Sequence, residues 1–138
     1  GEVEVAVACT QAAAEQLRGW GGSGYHLAFA LGNLAGFQIA QGDLAAANET
    51  AIEALPLLAG AGIAFWFFDH LAALAARGGH IDDAARFLAH ADVAYARQND
   101  CRQPTQQKAY DIASAIVRER IDERRLQRLF LIGRNVTE

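Results

Sequence analysis

From Phe65 to Arg97 the apolar positions recur with a helical period. Phe65, Phe68, Leu71, Ala72 and Ala75 are spaced by three, three, one and three residues, which is the stripe of a 3.6-residue turn and not the alternation of a strand. Alanine and leucine favour the helix, and no proline interrupts the run. Arg77 falls where a cation suits a helix C-terminus. Gly78-Gly79 then supplies a residue that enters the left-handed cap conformation without penalty. Asp82 and Asp83 open a second helix, where negative charge faces exposed N–H groups. Its stripe is Ile81, Ala84, Ala85, Leu88, Ala91 and Tyr95. The stretch predicts an antiparallel helical hairpin, with Ala84 and Ala85 small enough for the axes to approach closely.

The same pattern occurs thirty-seven residues earlier, from Leu31 to Leu55. Leu34-Ala35 aligns with Leu71-Ala72, Gly42 with Gly79, Leu44 with Ile81, Ala47 with Ala84, and Ala54 with Ala91. This order of large, small, turn glycine, small and small resembles the tetratricopeptide (TPR) pattern, whose usual period is about 34 residues. The resemblance spans Leu27 to Tyr95 and fills the aromatic positions of that consensus only in part. A plain alanine-rich helical bundle is the alternative.

Taken in order, the chain predicts about seven helices. The first runs from Glu2 to Arg18, with Val5, Ala8, Cys9, Ala12, Ala13 and Gln16 spread around it. Gly19 to Gly24 reads as a flexible connection in which Trp20 packs over neighbouring helices. No Lys-Ser/Thr follows and no strand precedes, so this glycine run is not a phosphate loop. Helix two runs from Tyr25 to Gln41 and helix three from Leu44 to Leu58, where Pro56 should kink or end it. The opening hairpin supplies helices four and five. A break at Asn99 to Pro104 follows, with Thr105 expected to cap helix six, to Glu119, whose stripe is Ala109, Ile112, Ala113, Ile116 and Val117. Asp122 starts helix seven, Leu126, Leu129, Phe130 and Ile132 point inward, and Gly133 ends it. The expectation is an all-α fold of antiparallel hairpins stacked as a TPR-like superhelix, with repeats over residues 1–100 and capping helices over 101–138 in one compact domain. Gly1 in place of an initiator Met, and a first helix that looks like the second half of a repeat, suggest a fragment of a larger protein.

Composition agrees. The chain of 138 residues is 52% hydrophobic and rich in alanine, with two prolines and few β-branched residues. A net charge of −4 offers no global basic field to nucleic acid. Cys9 and Cys101 are isolated, which argues for a reducing, cytoplasmic setting. No stretch of about twenty apolar residues is present to span a membrane, and no signal peptide opens the chain.

A narrower likeness covers most of the chain. Asp69, Leu71, Ala72, Leu74, Ala75, Gly79, Ala84, Ala85, Leu88, Ala91, Ala94, Tyr95, Arg97, Arg102 and Pro104, with Leu31 to Ala35 and Gly42-Asp43, resemble the C-terminal helical region of large bacterial transcriptional regulators of the predicted-ATPase (STAND-like) type. Such proteins carry an N-terminal winged-helix or similar effector domain, a central STAND-like nucleotide-binding domain and a C-terminal TPR-like sensor. The chain departs where the family usually has glycine, at Ala89, and often Asn-Glu, at Thr105-Gln106. These are mostly packing residues, so the resemblance implies architecture more than ligand.

Candidate chemistry is sparse. His26, His70, His80 and His90 form no His-x-x-His or His-x-x-x-His pair that would seed a metal site, and read as surface or helix-end residues. Neither Ser23 nor Cys9 has a base nearby in sequence, so no nucleophile is expected. Arg118 to Arg128 interleaves basic and acidic residues and reads as a solvated face laced with ion pairs. Asn135-Val136-Thr137 matches a glycosylation sequon without meaning in a cytosolic chain. No catalytic residue, metal or cofactor is expected.

One binding site suggests itself. In the repeat register, the first helix of each hairpin would turn Phe29, Gly32, Gly36, Trp66, Asp69, Ala73 and Arg77 toward a concave groove. The glycines leave room, Phe29 and Trp66 offer flat apolar area, and Asp69 and Arg77 offer orienting charge. Alternatively, the Phe65–Phe68 run is simply core or interface. Asn33 would suit a carboxylate clamp, but the lysines that such a clamp needs are absent from both repeats. The expected function is a non-catalytic sensor or protein-interaction domain of a bacterial regulator. It would bind a protein partner, other domains of the same regulator or a small effector, with no direct nucleic-acid or membrane contact. The alternative is a stand-alone helical-repeat adaptor that binds a peptide or forms a homodimer.

Overall fold

A computed structural model describes residues 1–21 and 24–134; Ser23 and the Asn135–Thr137 sequon lie outside them. The described residues form seven α-helices and no strand: α1 Glu2–Trp20, α2 Gly24–Gln41, α3 Leu44–Gly60, α4 Phe68–Arg77, α5 Ile81–Gln98, α6 Pro104–Arg120 and α7 Glu123–Arg134. A short 3-10 turn, Ala64–Phe67, leads into α4. The fold is all-α, as the periodicity predicts.

The two turns that the repeat register aligns are built alike. Gly42 has φ +90° and Gly79 has φ +85°, values that an L side chain rarely adopts. At the first, the Gly42 N–H donates to the Ile39 carbonyl (3.1 Å) and the Asp43 N–H to the Gln38 carbonyl (3.0 Å). At the second, the Gly79 N–H donates to Ala76 (3.2 Å) and the His80 N–H to Ala75 (2.8 Å). Both are Schellman closures, which satisfy carbonyls that a helix end would leave orphaned. The aligned alanines Ala35 and Ala72, Ala47 and Ala84, and Ala54 and Ala91 are all fully buried.

The chain divides into two compact units, residues 1–64 and 65–138. This differs from the expected division after residue 100. The reason is local: α6 packs against α4 and α5, and α7 packs against α5, so the last two helices belong with the second hairpin.

In the first unit α2 packs between α1 and α3, around Ala28, Leu31, Leu34, Ala35, Ala47 and Leu58. The Asp43 carboxylate caps α3 by accepting from the Ala46 N–H (3.1 Å). Pro56 neither ends nor interrupts α3, which continues to Gly60. Proline frees the carbonyl four residues back, on Ile52, and both residues lie on the exposed face where water can serve it. Helix α1 also outruns its expected end at Arg18, reaching Trp20, and Gly21 in left-handed conformation closes it.

In the second unit an alanine seam joins α4 to α5, with Ala72, Ala73 and Ala76 buried on one helix and Ala84, Ala85 and Ala91 on the other. Helix α6 starts at Pro104 with Gln103 as its N-cap, so Thr105 does not cap it; the Thr105 hydroxyl instead bonds the Gln106 side chain (3.2 Å). Asp122 does open α7, accepting from the Arg125 N–H (2.9 Å). Helix α7 is described one residue past Gly133, to Arg134. Gly133 is buried in that last described turn, where a Cβ would stand 2.6 Å from the Arg86 carbonyl oxygen and 2.9 Å from the Ala89 Cβ. Its lack of a side chain lets α7 cross α5 backbone to backbone. Ile132, expected inward, is half exposed, because the crossing at Gly133 turns it outward.

His70 and His90 correct the surface reading of the histidines: both are buried, whereas His26 and His80 are exposed. His90 Nδ1 faces the Gly133 carbonyl at 3.4 Å, and the Phe68 ring meets the imidazole edge-on. His70 packs beside Phe67, and neither of its ring nitrogens has a hydrogen-bond partner. Burial pushes its pKa down to about 4, so the imidazole is neutral in the folded protein.

Two outcomes follow from these contacts. Gly133→Ala should lower stability by about 1–3 kcal/mol in urea denaturation, by wedging α7 off α5. For His70 the unfolded chain binds a proton that the folded one refuses, so its contribution is intact above about pH 6.5 and is lost as pH falls toward 4. Relative to His70→Leu, the parent should therefore lose about 3 kcal/mol between about pH 7 and pH 4, read from denaturation midpoints.

Candidate functional site

Two features of the surface bear on function, one in each unit. In the first unit α1 and α2 enclose an open cleft of about 560 Å³. Cys9, Thr10, Ala13, Leu17 and Trp20 form one helical face of α1, and His26, Phe29, Ala30 and Asn33 form one face of α2. The cleft is mainly apolar. Trp20 is 85% exposed and Phe29 43%, so Trp20 does not pack over neighbouring helices as expected. The two exposed rings and the apolar lining between them make one contiguous apolar surface, the kind that marks contact sites. The Thr10 hydroxyl is spent within the helix on the Ala6 carbonyl (2.6 Å), which leaves His26 and Asn33 as the polar groups at the rim. The end of α1 is tied to α3 by Arg18, whose guanidinium donates two bonds to the Glu53 carboxylate (2.8 and 2.7 Å). That pair holds Glu53 below the usual carboxylate range, but it is open to water and contributes about 1 kcal/mol or less.

In the second unit one guanidinium gathers three helices. Arg102 Nε donates to Asp69 Oδ2 (2.8 Å) and Nη2 to Asp69 Oδ1 (3.2 Å), on α4. Nη2 also reaches Asp92 Oδ1 (2.7 Å) on α5. The guanidinium lies 4.7 Å from the Tyr95 ring centroid and 4.1 Å from that of Tyr110 on α6. Tyr110 in turn donates to Asp92 Oδ2 at 3.4 Å. Asp69 has no exposed surface at all. Burial pushes its carboxyl up to about 6 even with Arg102 against it, and the charges of Asp92 and Asp111 push the same way. The Arg102 loop is pinned alongside: Asn99 caps α5 at φ +50°, and Asp100 accepts from Trp66 Nε1 (3.2 Å) and the Cys101 N–H (2.7 Å).

The seven residues of the expected groove separate accordingly. Phe29, Gly32 and Gly36 belong to the first unit, and Trp66, Asp69, Ala73 and Arg77 to the second. Phe29 lines the α1–α2 cleft, Gly36 and Trp66 are half-buried, and Arg77 is exposed. Gly32, Asp69 and Ala73 are buried. Asp69 is therefore no orienting charge for a ligand; Arg102 consumes both of its oxygens. The sequence reading missed Trp20, Leu17 and Cys9 as cleft residues. The signal available was the spacing of Cys9, Ala13, Leu17 and Trp20, in steps of four, four and three, one helical face that runs into a bulky ring.

The basic stretch also reads differently. Arg125 pairs with Asp82, but Arg118, Arg120, Arg124 and Arg128 find no ion-pair partner among the described residues. Among those residues no group of three or more His, Cys, Asp or Glu is placed to hold a metal ion, and no helix is long and apolar enough to cross a membrane. No protein-family model, curated protein or solved structure matches the chain.

Removing one partner of the buried cluster leaves a charge stranded. Arg102→Ala should cost about 3–5 kcal/mol in chemical denaturation, and Asp69→Asn in that background should recover part of the loss by removing the orphaned carboxylate.

Proposed function

We propose that the chain is a non-catalytic, TPR-like sensor and protein-interaction domain of a bacterial signalling or transcriptional regulator, working in the cytoplasm, and that the α1–α2 cleft seats a partner. The observation that carries the partner reading is the exposed pair Trp20 and Phe29 on facing helices of an apolar cleft. A cleft between two helices accepts the apolar face of a third, by the helix-in-groove mode. The net charge of the unit, not the lining of the cleft, bears on the partner's charge. Residues 1–64 carry six carboxylates (Glu2, Glu4, Glu15, Asp43, Glu49 and Glu53) against the single Arg18. A helix with a basic flank and an aliphatic or aromatic anchor meets both demands. The regulator part of the reading is supported by the family resemblance. Asp69, Tyr95 and Arg102, which belong to it, meet in one cluster although far apart in sequence.

A second reading, self-association as a stand-alone adaptor, has its own support in Leu131 and Ile132, which stand 63% and 50% exposed on α7.

The test is selection from a library of helical peptides of varied charge. Basic amphipathic peptides should be enriched. Trp20→Ala and Phe29→Ala should each weaken the selected complexes at least about tenfold by titration, as expected for an aromatic anchor. Enrichment without charge preference, or complexes indifferent to both variants, overturns the cleft reading. Sedimentation of the chain then separates the two functions: a dimer dispersed by Leu131→Ser together with Ile132→Ser supports the adaptor, and measurable ATP turnover excludes both.

A further inference from the structure

A second cavity, of about 350 Å³, lies wholly within the second unit. Its origin is geometric. Helices α6 and α7 both pack against α5 but scarcely against each other. The link between them is two residues, Ile121 in extended conformation and Asp122 as the cap of α7, so the chain turns sharply and the two helices diverge. Leu88 of α5 forms the floor of the wedge, with Val117, Leu126 and Phe130 on its apolar walls.

The lining also carries polar groups, from both helices. Arg118 comes from α6 and Glu123 from α7, and neither has an ion-pair partner among the described residues. Opposite charges that edge one cavity without meeting leave room for a molecule carrying both complementary charges. Ser114 and Gln127, one turn further from the link on each helix, add hydrogen-bonding groups. The volume falls at the lower end of small-ligand pockets, which run from about 300 to 1,000 Å³.

We infer that this wedge binds a free α-amino acid with an apolar side chain. The carboxylate would take Arg118, the ammonium Glu123, and the side chain the floor of Leu88 and Phe130. A bound molecule touches Tyr110, whose ring lies against the Arg102 guanidinium and so against the cluster that joins α4, α5 and α6. The inference deepens the sensor reading by naming an effector class and rests on that reading for its biological consequence; binding itself is independent of the α1–α2 cleft.

Calorimetric titration of the full chain with L-leucine and L-phenylalanine tests it, beside two controls: 4-methylpentanoate, which lacks the ammonium, and 3-methylbutylamine, which lacks the carboxylate. The zwitterions should bind with Kd of about 1 mM or tighter, at least about tenfold better than either control. Arg118→Gln and Glu123→Gln, both on exposed residues, should each cost about tenfold, and Ser114→Leu should abolish binding by filling the wedge. All three variants should still bind the peptides selected above, so failure here and failure of the partner reading are separate results. Heat release from neither amino acid, equal binding of a control, or binding indifferent to all three variants overturns the assignment.

Discussion

One guanidinium holds the second unit together. Arg102 is placed by a loop, not a helix, yet it bonds α4 through Asp69, bonds α5 through Asp92 and lies between the rings of Tyr95 and Tyr110. Two carboxylates share one cation, and the fully buried one, Asp69, is the one whose carboxyl burial pushes up. A well-packed apolar replacement of such a cluster is often as stable, whereas removing one partner strands a buried charge. The cluster's effect here is to fix where α6 leaves the hairpin. The wedge between α6 and α7, and with it the rim that Arg118 and Glu123 form, inherits that placement.

Small residues do the rest. Between α4 and α5 the seam is alanine, and between α5 and α7 the crossing is a single glycine. Alanines bury little apolar area each, so such interfaces gain through close approach and the dispersion contacts it allows. They also have no slack. A larger residue at Ala84 or Gly133 has nowhere to go, whereas the exposed face of α3 tolerates even a proline.

Much of the fold was legible because its signals are local. Periodicity located all seven helices, and the turn glycines Gly42 and Gly79 predicted their own geometry. The misses share a cause. Gly133 looks like a stop and acts as a contact, because its neighbour Arg86 lies in another helix. His70 and His90 look like surface residues until tertiary packing covers them. Asp69 was chosen for the right helix and the wrong role: nothing local to Asp69 announces Arg102, thirty-three residues on. Of the expected groove, Phe29 alone coincides with the cleft, because a repeat register assigns faces within a helix but says nothing of which neighbour covers each face.

The two tryptophans fall one in each unit. Trp20 stands in solvent at the end of α1, while Trp66 is half-buried with its indole N–H on Asp100. An indole in water emits further to the red than one held in a protein. Intrinsic emission therefore has two sources in different surroundings, one at the mouth of the cleft and one beside the Arg102 loop, and the unit that changes can be told by replacing either indole.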